Sequence, residues 1–213
     1  MLAQTLVACL ALTILDALPC PRFSAWWSYH YFLSMALFYF YYEDWFLAPE
    51  ALLQHVPSSA LSVHVCGTGL SRLPKLLSAG GATALATDSS PMAILAMKVS
   101  SYSDDTSKYA LANQATTSSC SETTTKFDCV IEKGTLAAIP DQKQVPAARK
   151  MFEQLSGGGA LVSVWLEQSK ADALAMLQEV GFIDVKVASE RQQEEAGGTL
   201  KVVVITAAKA QDA

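Results

Sequence analysis

The hydrophobic rhythm of the chain changes near residue 43. Before it, apolar residues run on almost without relief. "MLAQTLVACLALTIL" opens the chain with 15 uncharged residues, and "AWWSYHYFLSMALFYFYY" fills 25–42. After it, short apolar runs alternate with segments whose apolar positions recur at helical spacing. "EDWFLAPEALLQHV" (43–56) predicts a helix broken at Pro49, and "ALSVHV" (60–65) a first strand. "LSRLPKLLSAGG" (70–81) predicts a helix with Pro74 in its first turn and Gly80-Gly81 as its stop. "ATALAT" (82–87) is a second strand, and "SSPMAILAMK" (89–98) a helix with Ser90 as N-cap and Pro91 at its first position.

Residues 100–125 break the rhythm, since thirteen of the 26 are Ser or Thr; only "YALA" (109–112) has strand character, a weak third strand inside a loop. "FDCVIE" (127–132) is a fourth strand, "VPAARKMFEQLSGGG" (145–159) a helix stopped by glycines, and "ALVSVWLE" (160–167) a fifth strand. "KADALAMLQEVGF" (170–182) is a helix ending at Gly181. "DVKVAS" (184–189) and "TLKVVVITA" (199–207) are two closing strands joined across Gly197-Gly198. Strands alternating with helices predict an α/β fold: a mostly parallel, seven-stranded sheet with helices on both faces. With no helix between the last two strands, they form a C-terminal antiparallel hairpin.

Composition narrows the class. The 213 residues are 51% hydrophobic and 16% charged, and up to Tyr42 only Asp16 and Arg22 carry a formal charge. A net charge of −5 without a cluster of Lys and Arg argues against a nucleic-acid surface. The cysteines at 9, 20, 66, 120 and 129 are odd in number and have no C-x-x-C spacing, and His30, His55 and His64 are scattered. Neither a metal site nor a disulfide framework is expected, and reduced thiols suit a cytoplasmic location. The first apolar run lacks the basic flank of a secretory signal and is shorter than the roughly 20 residues of a membrane span. The second run carries Tyr and Trp throughout, whereas spans keep them at their ends. Residues 1–42 therefore read either as core cover or as a membrane association through the N-terminus.

The chemistry gathers where strands end. Gly67 and Gly69 follow the first strand, where glycine permits a tight turn and close approach of a ligand. Asp88 follows 19 residues after Gly69, at the end of the second strand, placed to accept both hydroxyls of a ribose. Arg72 stands where a dinucleotide fingerprint needs its third glycine, which disfavours nicotinamide and flavin and leaves an adenosine site.

"VCGTGLSRLPKLLSAGG", "ATDSSPMAILAMK" and "FDCVIEKGTLAAI" together resemble the class I S-adenosylmethionine-dependent methyltransferases. Within that family they resemble the elongation factor 1A lysine methyltransferase (methyltransferase-like 13) branch, and Trp27, Tyr31 and "EDWF" (43–46) resemble its leading aromatic elements. The resemblance covers residues 26–208 and implies the Rossmann-like class I methyltransferase fold. It implies S-adenosyl-L-methionine as cofactor, bound by Val65, Cys66, Gly67, Gly69, Asp88, Ser89, Ser90, Asn113, Gln114 and Glu132. It implies a protein lysine or N-terminal amine as acceptor, on a protein substrate such as a translation factor. Glu132 is the carboxylate expected to orient the amine as the catalytic residue; its bland alternative is a solvated strand-end residue.

Val63, Val65, Ala137 and His30 depart from the pattern, as do Asn113 and Gln114 where the family often has an acid on the adenine amino group. Val65, at the first turn glycine, is expected to crowd the methionine moiety. These departures leave open a catalytically degenerate relative acting as a binding or scaffold module. Three divisions follow: an apolar extension over 1–24, an aromatic and helical element over 25–58 packing on the core, and the methyltransferase domain over 59–209.

Overall fold

The computed structural model describes residues 47–100, 107–112, 125–195 and 198–211. The apolar and aromatic runs of 1–42, the "EDWF" element, and Asn113 and Gln114 lie outside these residues. Seven strands form one sheet in the order β3-β2-β1-β4-β5-β7-β6. They are β1 (Ser62–Cys66), β2 (Thr83–Asp88), β3 (Ser107–Leu111), β4 (Phe127–Lys133), β5 (Leu155–Leu166), β6 (Ile183–Glu195) and β7 (Gly198–Ala208). The pairs β1–β2, β2–β3, β1–β4 and β4–β5 are parallel, while β7 runs antiparallel to both β5 and β6. This is the expected α/β sheet with its closing hairpin. Strand order reverses between β1 and β4, which puts the ligand-binding crevice of such sheets at their carboxyl ends.

The helices are α1 (Pro49–Leu53), α2 (Leu73–Ala79), α3 (Pro91–Ser100), α4 (Asp141–Gln154) and α5 (Lys170–Val180). The inner strands read as apolar runs because both of their faces are covered. On one face Val63, Val65, Ile131 and Val162 share a core with Leu73, Leu77, Ile94 and Met97. On the other Cys66, Val130, Leu161 and Trp165 share a core with Met151, Met176 and Leu177. The local signals work as their chemistry requires. Pro74 lies in the first turn of α2. Ser90 Oγ accepts the Ala93 N–H at 3.2 Å and caps α3, and Gly181 ends α5 at φ +110°.

Three expectations need correction. Pro49 begins α1 rather than breaking a longer described helix, since its ring is compatible with a first helical position. Helix α4 starts at Asp141, four residues before the Val145 of the expected boundary, and carries Pro146 inside it. The glycines 157–159 do not stop that helix; they open β5. Backbone partners explain the change. The Gly158 N–H donates to Lys209 O at 3.1 Å and the Lys209 N–H to Gly159 O at 2.9 Å. The pairing with β4 shifts register between Phe127 and Cys129 to fit the extra residues. Gly158, at φ +79°, also makes room for the Gln211 side chain.

Candidate functional site

The turn after β1 is built by backbone geometry. Gly67 and Gly69 take φ +64° and +53°, where other residues are strained. Gly67 has a second reason to be glycine: the Thr135 side chain occupies the space a Cβ would need. The Thr135 hydroxyl donates to Cys66 O at 2.9 Å, so the segment after β4 is fastened to the head of the turn. The Thr68 N–H donates to Thr87 O at 2.9 Å, fastening the turn to β2.

Asp88 closes the arrangement. Its Oδ2 accepts the Gly69 N–H and its Oδ1 the Ser90 N–H, both at 2.8 Å. The side chain is buried at 5% exposure. Burial raises its pKa, against hydrogen bonds from the Ser90, Gly69 and Ser89 amides. A carboxylate oxygen has two lone-pair directions. The Gly69 and Ser90 bonds take one on each oxygen, and the Ser89 amide takes a third. Gly67, Gly69, Asp88, Ser89 and Ser90 are thus brought together at the carboxyl ends of β1 and β2. Thr68 Oγ1 lies buried in the same turn and has no hydrogen-bond partner among the described residues. A turn held open by positive-φ glycines, beside an acceptor carboxylate and an orphaned hydroxyl, suits a ligand rich in hydroxyl and amine groups.

Other expected residues lie nearby with different roles. Val65 belongs to the core at 2% exposure, in register between Ala86 and Ile131, so its side chain is not in the turn and the expected crowding gives way to core packing. Cys66 meets the Thr135 hydroxyl through its backbone carbonyl; its fully buried Sγ lies 3.5 Å from His64 Nδ1. Glu132 is fully buried as well. Its Oε1 accepts from the Ser163 hydroxyl and its Oε2 the Leu136 N–H at 3.1 Å. The Thr135 and Val164 amides add to this, and burial outweighs all four to push its pKa up to about 7. The solvated strand end of the bland alternative is thus replaced by a buried carboxylate, bonded to its own chain through both oxygens.

His64, Thr135, Ser163 and Trp165, which no motif marks for the site, also shape it. Gln154 Oε1 is an acceptor, so His64 Nδ1 carries the proton of the 2.9 Å bond between them. His64 Nε2 then accepts from the Thr87 hydroxyl at 2.9 Å. Burial holds the imidazole neutral, its pKa lowered to about 4. Trp165 Nε1 donates to Ser163 Oγ at 2.6 Å. A histidine inside an apolar strand was the available signal, and it marks a ring packed behind the β2 end of the site.

No protein-family model matches the chain, and no curated protein matches it in sequence. Solved structures do match in fold. A TehB-like S-adenosylmethionine-dependent methyltransferase from Corynebacterium glutamicum is 18% identical, with TM-score 0.63, over 89% of this chain and 98% of that one. Magnesium protoporphyrin IX methyltransferase from Synechocystis, with S-adenosylhomocysteine bound, is 13% identical, with TM-score 0.65, over 88% and 98%. The N-methyltransferase NodS from Bradyrhizobium japonicum, also with S-adenosylhomocysteine, is 15% identical, with TM-score 0.62, over 76% and 85%. The chain has the fold of these methyltransferases.

Proposed function

We propose that this chain is an S-adenosylmethionine-dependent methyltransferase acting on a protein amine, a lysine side chain or an N-terminus. The observation that carries the reading is the glycine turn locked to Asp88 at the carboxyl ends of β1 and β2. The shared fold with methyltransferases holding S-adenosylhomocysteine supports it. The cofactor supplies an activated methyl on a sulfonium, so the protein's work is alignment more than acid–base chemistry. Gly67 and Gly69 give it backbone to lie against. Asp88 offers acceptor capacity to the ribose, and Ser89 and Ser90 would lie beside the adenine; Asn113 and Gln114, expected at that end, lie outside the described residues. Glu132, Lys133 and Gly134, where β4 ends, would form the floor under the methyl group. An amine acceptor, with a usual pKa near 10.4, must lose its proton before attack.

The "EKGTL" segment (132–136) supports the elongation factor 1A lysine methyltransferase branch, which makes a translation factor the first acceptor to assay. A cytoplasmic location accords with cysteines that are odd in number and lack C-x-x-C spacing; the alternative is membrane association through residues 1–42. Among the described residues no helix is long and apolar enough to cross a membrane.

A second reading, a degenerate module that binds without catalysis, draws on the Asp88 oxygens already engaged by backbone amides and on the enclosure of Glu132. Calorimetry with S-adenosylmethionine and S-adenosylhomocysteine separates the readings from a chain without cofactor affinity. Binding accompanied by a rise in melting temperature is expected, by mass action. Asp88→Ala is expected to weaken it by about 1.5–3 kcal/mol, the worth of hydrogen bonds to a charged group. Silence at millimolar ligand would sink the enzyme reading. Binding without methyl transfer to any protein amine would favour the degenerate one.

A further inference from the structure

We propose that Glu132 is the positioning residue of the site: ionised, it clamps the turn of residues 134–136 against the glycine turn, so that cofactor affinity depends on whether its carboxyl carries a proton. This rests on the methyltransferase reading above.

The clamp is a continuous chain of contacts. It starts at Trp165, whose Nε1–H donates to Ser163 Oγ at 2.6 Å. That bond fixes the direction of the next one, leaving the Ser163 hydroxyl proton for Glu132 Oε1. On the other oxygen the Leu136 N–H donates at 3.1 Å, and the Thr135 amide also bonds the carboxylate. Thr135 then donates its hydroxyl to Cys66 O at 2.9 Å and fills the space beside Gly67. Cys66 and Glu132 are register partners on β1 and β4, so the two ends of the clamp belong to neighbouring strands.

Every partner of Glu132 in this chain is a donor, which is the pattern an ionised carboxylate requires. A proton on the carboxyl would turn one oxygen toward donation, and one of these donors would have to give way. The Thr135 and Leu136 amides are the ones that hold the turn.

Two buried carboxyls flank the glycine turn: Glu132 through Thr135, and Asp88, which burial also pushes up and which is common to all the proteins compared below. Across the register β1 presents the Cys66 thiol, with His64 two residues earlier. From β5 come Ser163 and Trp165. Helices α4 and α5 bring Ala147, Ala148, Met151, Ala173 and Leu177 to this core. Lys133 is the adjoining charged residue in the chain. Burial brings the Glu132 pKa up to about 7, so both forms are populated near neutral pH.

The test is calorimetric titration of the full chain with S-adenosylhomocysteine between about pH 6 and pH 8. It compares the wild type with Glu132→Gln, Thr135→Val and Thr135→Ser. If affinity follows the ionised fraction, the wild type binds roughly tenfold more weakly at the acid end. Glu132→Gln is expected to bind weakly with a flat profile. Thr135→Val loses the bond to Cys66 O and weakens binding, while Thr135→Ser keeps that bond and restores it. A flat wild-type profile, or an unaltered slope in Glu132→Gln, overturns the proposal. Should Glu132→Gln fail to fold by circular dichroism, the Thr135 pair decides, and wild-type affinity in Thr135→Val overturns it. Absence of binding by every protein at every pH instead overturns the methyltransferase reading beneath it.

Discussion

Gly67 and Thr135 compete for one small volume, and that competition fixes what each position tolerates. An alanine at 67 meets a positive φ and the Thr135 side chain together. Gly67→Ala is expected to lower stability by about 1–3 kcal/mol, the range for strain at a special backbone position. Combined with Thr135→Ala the loss shrinks, because the crowding atoms are gone. Strict additivity of the two, measured by urea unfolding, would show that backbone strain alone sets the cost. Val65 teaches the opposite lesson. By alignment with a glycine it is a suspect for crowding a ligand, yet it is a core side chain between two strands. Val65→Gly should therefore destabilise by roughly 2–4 kcal/mol, combining lost burial with added backbone freedom. It should not tighten cofactor binding; a tighter complex would return the side chain to the ligand.

At the scale of elements, the boundaries that could be read were those with a local physical cause. Ser90 and Pro91 announce α3 because a side-chain oxygen and a preset φ are needed at a helix start. Ser90→Ala should cost about 0.5–2 kcal/mol, seen as a lower urea midpoint at unchanged slope. An unmoved midpoint would mean that the bond to the Ala93 amide carries no weight. Boundaries set by distant partners were not legible. Nothing near Gly157–Gly159 says strand, since the partners of Gly158 and Gly159 are Lys209 and Ala210, just past the end of β7. The start of α4 has no side-chain cap to announce it. Strand β6 runs on through polar residues to Glu195 because β7 pairs with it there, beyond the last β5 pair at Leu166 and Val202. The candidate site divides the same way. Gly67, Gly69 and Asp88 were legible from residue type and spacing. Thr135, His64 and Ser163 were not, because each is defined by a partner 69, 90 or 31 residues away.

For the molecule as a whole, the same half of the core holds two buried titratable groups that pull stability in opposite directions with pH. His64 has its pKa lowered from 6.5 to about 4. Between those values the unfolded chain binds the proton and the folded chain does not, so stability falls as pH drops through this window. Glu132 has its pKa raised from 4.5 to about 7. Here the folded chain holds the proton longer, so stability falls as pH rises through 4.5 to 7. Each displacement is worth about 3 kcal/mol at 1.4 kcal/mol per pH unit, and over the shared range the two slopes nearly cancel. Urea unfolding at several pH values exposes the balance. With His64→Gln the Glu132 slope is left uncompensated, and stability should decline from pH 5 toward pH 7. With Glu132→Gln the His64 slope remains, and stability should climb over the same interval. Groups such as Asp88 and Asp128 contribute alike to all three proteins, so the comparison of slopes isolates the pair. Parallel profiles for wild type and both variants would mean that neither buried group titrates with the fold.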